Sequence, residues 1–221
     1  MGSFPRQLAL DLRDRLALLR VVETGTYVGD TARALAGMFE EVVTIERSDH
    51  YYDRARDRLE GLSNVTLIHG HSGEQLAAVA GDPGPTLYWL DAHWSGGDTA
   101  GSDDPVPLLH ELDAIGGGDP RDCIVIDDAR EFATSPDPRW PSLPDVLDKV
   151  RAHRPDDHVT VIHDLIISVP QEAKDIVDEF GRAHIWTVWR AGERARGVRP
   201  PNRVTERLHP LRAWVGRKLG R

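Results

Sequence analysis

The sequence has 221 residues, 40% of them hydrophobic and 29% charged, which fits one globular domain with its own core. No apolar run approaches the ~18–20 residues needed to cross a bilayer, so the pattern excludes an integral membrane protein. The formal net charge is −9, although residues 190–221 hold ten Lys or Arg against two acidic residues. The rest of the chain is therefore strongly acidic, which makes nucleic-acid binding by the main body unfavourable.

The N-terminal residues carry charges throughout and predict no signal peptide. Cys123 is the only cysteine, so no intrachain disulfide can form, and we expect a cytoplasmic protein. The basic C-terminal tail, residues 191–221, can be a solvated segment or a contact for an anionic partner. We expect residues 1–190 to form the single folded domain.

The spacing of apolar residues predicts helices and strands that alternate along the chain. The predicted helices cover residues 5–19, 29–39, 49–61, 72–80, 106–116, 143–152 and 170–181. The predicted strands cover residues 20–25, 42–46, 65–69, 86–91, 123–127 and 184–190, and the stretches 159–163 and 165–169 are β-rich. We therefore expect an α/β fold with a Rossmann-like, seven-stranded, mostly parallel sheet and helices on both faces. Residues 203–219 have the spacing of a further amphipathic helix.

The loop after the first strand has the character of a ligand-binding turn. Gly25 permits a tight turn, and Gly29 would let the next helix approach a ligand. The G-x-x-x-G spacing differs from the dinucleotide pattern G-x-G-x-x-G. Glu23 before it suits a cationic ammonium group better than a phosphate. Glu46, at the end of the second strand, can accept hydrogen bonds from ribose hydroxyls, or it can be a surface carboxylate.

The stretch ETGTYVGDT, residues 23–31, resembles the first motif of class I S-adenosylmethionine-dependent methyltransferases. Tyr27 replaces the middle glycine of that motif, as in the cation-dependent O-methyltransferases of the catechol and macrocin types. The resemblance implies that Glu23, Gly25, Tyr27 and Gly29 bind the methionine part of the cofactor and that Glu46 binds its ribose.

The resemblance extends to the end of the third predicted strand. It implies that His71 and Ser72 hold the adenine ring of S-adenosylmethionine. The alternative for His71 is a solvent-facing residue that caps the next helix.

Three carboxylates follow strands that we expect to be neighbours. Asp91 ends the fourth predicted strand, and Asp127 and Asp128 end the fifth. Carboxylates brought together in this way repel one another, and a hard divalent cation, Mg²⁺ or in its place Mn²⁺ or Ca²⁺, removes that repulsion. The resemblance also implies contact between Asp91 and the cofactor. The alternative is that Asp127 and Asp128 cap a turn while Asp91 binds backbone amides.

Alkylation of a hydroxyl oxygen requires a base that takes its proton. The catechol-type enzymes place a lysine after the strand-four Asp, whereas this chain has His93, which we expect to be the catalytic base. His93 can instead bind the metal or pack against the adenine, and His163 is a second candidate base. Residues 95–104 can close over the acceptor or be only a long connection. Residues 129–141, with Arg130 and Trp140, form another expected acceptor wall.

The sequence thus favours an Mg²⁺-dependent O-methyltransferase whose acceptor is a hydroxyl of a sugar or similar small molecule. The stretch DAHWSGGD, residues 91–98, resembles methylmannose polysaccharide 1-O-methyltransferases of mycobacteria, which implies the 1-hydroxyl of a short methylated mannoside. Three alternatives remain: a nucleic-acid methyltransferase using the basic tail, an enzyme for phenolic or macrolide-sugar products, and a non-catalytic member that binds the cofactor and a protein. We also expect a homodimer.

Overall fold

A computed structural model describes residues 4–80, 84–92 and 106–183. The chain divides into two compact units, Met1–Glu179 and Phe180–Arg221, and the fold below is that of the first. The predicted strand at 184–190, the tail from residue 191 and the predicted helix at 203–219 lie outside the described residues. Among the residues that are described, no helix combines the length and the apolar character that a bilayer crossing requires.

Seven strands form one sheet with the order β3-β2-β1-β4-β5-β7-β6. The first five strands are parallel and β7 is antiparallel to both of its neighbours. The prediction of a seven-stranded, mostly parallel sheet is therefore confirmed. The strands are β1 (Arg20–Thr24), β2 (Glu41–Glu46), β3 (Val65–His69), β4 (Thr86–Leu90), β5 (Cys123–Ile126), β6 (His158–Ile162) and β7 (Leu165–Val169).

The helices follow the predicted pattern with one addition. They are α1 (Arg6–Leu16), α2 (Asp30–Ala36), α3 (Asp49–Leu59), α4 (Ser72–Val79), α5 (Leu108–Ile115), α6 (Ala129–Thr134) and α7 (Leu143–His153). A 3-10 turn (Gln171–Ala173) leads into helical residues up to 179, where the first unit ends. The short helix α6 stands where we expected only a loop at 129–141. It buries just Ala129 and Phe132, too few apolar residues to produce a helical period in the sequence.

The two β-rich stretches near residue 160 form a hairpin. Strands β6 and β7 pair antiparallel and are joined by His163 and Asp164, with His163 at φ 61°. Two-residue hairpin turns require such positive φ values because their twist then matches that of the strands. This hairpin completes the seven strands without residues 184–190.

Both faces of the sheet centre are buried. Every residue of β1, β4, β5 and β7 is buried, as expected for strands covered by helices on both sides. On one face Val22, Tyr88 and Ile124 pack in a cluster with apolar residues of α4, α5 and α7. Trp89, whose neighbours in β4 belong to that cluster, instead packs against Phe4. The centroids of the two rings are 5.1 Å apart and the rings are nearly perpendicular.

Candidate functional site

The carboxyl ends of the central strands meet at one edge of the sheet. The Asp91 N–H donates to the Thr24 carbonyl at 3.1 Å, and the Asp127 N–H donates to the Leu90 carbonyl at 3.1 Å. Strands β1, β4 and β5 are therefore neighbours, as the carboxylate argument required. The strand order reverses between β1 and β4, and ligands of open α/β sheets bind beside such a reversal.

Gly25 allows the first loop to lie directly against the end of β4. It has φ 82°, and a Cβ there would stand 2.4 Å from the Asp91 carbonyl oxygen. Only glycine satisfies both conditions. Gly29 also has a positive φ, 84°, but its close neighbour is the Leu59 side chain of α3, 3.3 Å from a Cβ position. Gly29 thus lies at the contact between α2 and α3, and its contact with the cofactor stays a prediction.

Glu23 is a buried carboxyl beneath this loop. It is 1% exposed, and Thr44 Oγ1 donates to its Oε2 at 2.5 Å. The pKa of Glu23 is raised to about 8, chiefly by burial and also by the nearby charges of Asp91 and Glu46, while the Thr44 hydrogen bond opposes the shift. Such a group takes up its negative charge readily only beside a cation.

Glu46 accepts backbone hydrogen bonds through both carboxylate oxygens, one of them from the first loop. The Tyr27 N–H donates to Oε2 at 2.7 Å, and the Ser48 N–H donates to Oε1 at 2.8 Å. Burial raises the pKa of Glu46, and these backbone hydrogen bonds oppose the rise. Each carboxylate oxygen has two lone pairs, so Glu46 keeps capacity for ribose hydroxyls. Tyr27 has φ 53°, and its ring lies 4.4 Å from that of Tyr51.

The end of β3 lies next to Glu46. The Gly70 N–H donates to the Glu46 carbonyl at 2.9 Å, which brings His71 and Ser72 to the same edge of the sheet. His71 occupies the N-cap position of α4, but its side chain makes no capping hydrogen bond. The capping alternative for that side chain therefore fails. Ser72 is buried as the first residue of α4.

The three predicted metal ligands converge. One carboxylate oxygen each from Asp91, Asp127 and Asp128 lies within 4.8 Å of the other two. Oxygens that share one Mg²⁺ at 2.0–2.1 Å stand roughly 3 Å apart when adjacent and about 4 Å apart when opposite. Oxygens that already lie within 4.8 Å of one another can reach these spacings by side-chain rotation, so the residues fit a divalent cation.

Asp127 and Asp128 are held by local structure. They are 4% and 8% exposed, and the Asp128 N–H donates to Asp127 Oδ1 at 2.9 Å. Asp128 has φ 55° and precedes α6. The predicted alternative, in which Asp127 and Asp128 cap a turn after the fifth strand, is thus present in part.

Arg130 supplies a counter-charge that sequence reasoning missed. Its Nη1 lies 2.8 Å from Asp128 Oδ1 and also forms an ion pair with Asp164. Asp164 lies in the β6–β7 turn, and it accepts the backbone N–H of Arg130 at 2.9 Å. Asp164 lies 34 residues after Arg130, and no pattern in the sequence indicated that the two residues are in contact. Arg130 therefore offsets part of the negative charge that Asp128 and Asp164 bring to this edge of the sheet.

The structure describes some of the residues that we expected near the acceptor and not others. His93 and the loop at 95–104 lie outside the described residues. His163 is exposed in the β6–β7 turn. Trp140, expected in the acceptor wall, is partly buried with its ring 5.3 Å from that of Phe132.

Comparison with known proteins gives matches at the level of structure. No family model matches the sequence, and no curated protein matches it. A Klebsiella pneumoniae protein provisionally assigned as an O-methyltransferase is 19% identical, with 76% of this chain and 82% of that chain aligned and a TM-score of 0.55. A Staphylococcus aureus protein provisionally assigned as a caffeoyl-CoA O-methyltransferase is 18% identical, with 77% and 85% aligned and a TM-score of 0.54.

A third similar structure is the S-adenosylhomocysteine-bound methyltransferase PaMTH1 of Podospora anserina. It is 20% identical, with 76% of this chain and 79% of that chain aligned and a TM-score of 0.50. Identities this low establish the architecture rather than the substrate. With the strand order described above, they show that this chain has the Rossmann-like fold of class I methyltransferases.

Proposed function

We propose that this chain is an S-adenosylmethionine-dependent O-methyltransferase that holds its hydroxyl acceptor on a divalent cation, preferably Mg²⁺. The observation that carries the proposal is the convergence of Asp91, Asp127 and Asp128 within 4.8 Å beside the Gly25 loop. The similarity to the S-adenosylhomocysteine-bound PaMTH1 supports the choice of cofactor.

We expect different residues at this edge of the sheet to bind different parts of the cofactor. The buried Glu23 and the partly buried Asp91 would face the ammonium, and Glu46 would accept hydrogen bonds from the ribose hydroxyls. His71 and Ser72 would border the adenine, because Gly70 ties the end of β3 to Glu46. Gly25 and Tyr27 shape the backbone between these groups, and Gly29 sets the position of α2 against α3.

Asp91, Asp127 and Asp128 would hold the cation, and the acceptor oxygen would bind to the same cation. When bound, the donor supplies an electrophilic methyl group, and the cation lowers the pKa of the hydroxyl that it holds. Burial of Asp127 and Asp128 strengthens their attraction for a cation because little water screens it. We propose His93 as the base that accepts the hydroxyl proton.

The acceptor that we propose is a sugar hydroxyl, with the 1-hydroxyl of a short methylated mannoside as the specific candidate. Its support is the likeness of residues 91–98 to sugar methyltransferases, together with Trp140, which keeps part of its surface exposed. We further propose a cytoplasmic homodimer whose folded domain spans residues 1–190, with residues 191–221 as a basic tail.

A labelled methyl-transfer screen tests this function. Purified protein, S-adenosylmethionine and panels of sugars, phenols and RNA are incubated with Mg²⁺, with EDTA, and with EDTA followed by excess Mg²⁺. We expect transfer to a sugar that EDTA abolishes and Mg²⁺ restores. Full methyl transfer in EDTA would refute the requirement for a divalent cation. Methyl transfer to RNA alone would refute the proposal that the acceptor is a small molecule.

A further inference from the structure

Asp128 serves two positively charged partners at once. It belongs to the three-carboxylate cluster, and its Oδ1 lies 2.8 Å from the Arg130 guanidinium. The Asp128 side chain is 11% exposed and that of Arg130 is 52% exposed. The carboxylate is therefore fixed in place, whereas the guanidinium has room to move.

Arg130 can also form an ion pair with a second carboxylate, that of Asp164. Its guanidinium also pairs with Asp164, and its Nε lies 3.3 Å from Glu131 Oε1. The Arg130 N–H and the Ala129 N–H both bond to Asp164, so the β6–β7 turn and the start of α6 are fastened together. Because these two hydrogen bonds hold Asp164 beside the start of α6, its carboxylate stays within reach of the Arg130 guanidinium whether or not Arg130 also contacts Asp128.

We propose that Arg130 competes with the divalent cation for Asp128, and that Asp164 sets the strength of that competition by drawing Arg130 away. The inference rests on the cation site of the proposed function. A guanidinium and a divalent cation on one carboxylate repel each other, and the burial of Asp127 and Asp128 reduces the screening of that repulsion by water. Arg130 is thus a positioning residue that keeps the cation exchangeable and stabilises the cluster whenever the cation leaves.

The opposite signs of two single substitutions test the competition. Mn²⁺ alone is titrated into the full chain, and free Mn²⁺ is followed by electron paramagnetic resonance. Loss of one adjacent charge changes an ion's affinity by about tenfold or more in a buried site. We expect Arg130→Gln to bind Mn²⁺ about tenfold more tightly and Asp164→Asn to bind it several-fold more weakly. Arg130→Lys, which keeps the charge, should remain near the unsubstituted protein.

The double variant separates a route through Arg130 from a general effect of charge. If Asp164 acts by holding Arg130, adding Asp164→Asn to Arg130→Gln leaves the Mn²⁺ affinity unchanged. If both residues act only through their overall charge, their effects add. Additive effects, or no change in Arg130→Gln, would overturn the inference while leaving the cation site intact.

Two controls keep this result apart from the proposed function. Asp127→Asn should abolish Mn²⁺ binding, and Arg139→Gln, which removes an exposed arginine paired with Asp137, should leave it unchanged. Mn²⁺ binding in Arg130→Gln but not in the unsubstituted protein would support the competition in its strongest form. Absence of binding in both would overturn the cation site and the inference together.

Discussion

The Asp91 carbonyl oxygen stands where a side chain on Gly25 would begin, 2.4 Å from the position of its Cβ. The first loop and the end of β4 are therefore locked together at backbone level. Any side chain at position 25 must push the proposed cofactor loop away from a proposed metal ligand.

Gly25→Ala should cost more than the left-handed backbone alone requires. Gly61 offers a matched control, because it has the same φ of 82° and no atom within 4 Å of its Cβ position. Gly61→Ala should lower the free energy of unfolding by about 1–2 kcal/mol. Gly25→Ala should lower it further and weaken S-adenosylmethionine binding, as measured by urea unfolding and calorimetry. Equal losses in the two variants would contradict the close contact.

Glu23 should make the fold less stable as the pH rises. Its pKa is 4.5 in the unfolded chain and about 8 in the folded one, so its contribution is complete below pH 4.5 and lost through pH 8. Glu23→Gln should thus be more stable than the unsubstituted protein above pH 8, by on the order of a few kcal/mol, and nearly equal at pH 4.5.

Thermal unfolding between pH 4.5 and 9 measures this difference. Glu40→Gln, at an exposed position, is the control and should show no such trend. Glu23→Gln should also weaken S-adenosylmethionine binding through the loss of the carboxylate. A stability difference independent of pH would show that Glu23 is not buried as described.

Removal of a single cluster carboxylate should separate cofactor binding from turnover. Asp127→Asn and Asp128→Asn each keep side-chain size but remove one charge from the cation site. Methyl transfer should fall by roughly a hundredfold or more because cation chemistry contributes several kcal/mol. The cofactor affinity should stay within a few-fold.

The control for these variants is Asp175→Asn, at an exposed carboxylate paired with Arg15 of α1. It should retain full transfer activity in the same assay. Turnover that persists at normal rates in both cluster variants would end the metal proposal.

Arg154 should be among the residues most important for stability and unimportant for chemistry. It is buried and donates to the carbonyls of Gly117, Asp119 and Asp122 and to the Asp157 carboxylate. Arg154→Met leaves these acceptors unpaired, so we expect a loss of about 3–5 kcal/mol in the free energy of unfolding. Arg151→Met, at an exposed arginine, should change it by less than about 0.5 kcal/mol. A similar loss in both variants would contradict the role of the buried bonds.

Local pattern was sufficient to predict the sheet and the carboxylates at its edge. Asp91 and Asp127 end buried apolar runs, and parallel strands bring such ends together regardless of side-chain detail. The contact of Arg130 with Asp164 was unpredictable because it joins residues 34 apart through an antiparallel hairpin. The helix α6 was missed because six residues contain too little periodicity.

The antiparallel direction of β7 has a consequence for how this molecule can vary. Its first residue, Leu165, lies beside the carboxyl end of β5, so the tight bend at His163 and Asp164 faces the same rim as the three carboxylates. Longer sequences at that bend would enlarge the rim while the register of every strand stayed as it is. The length of the β6–β7 turn can therefore vary, and with it the surface around the three carboxylates, without a change in the rest of the sheet.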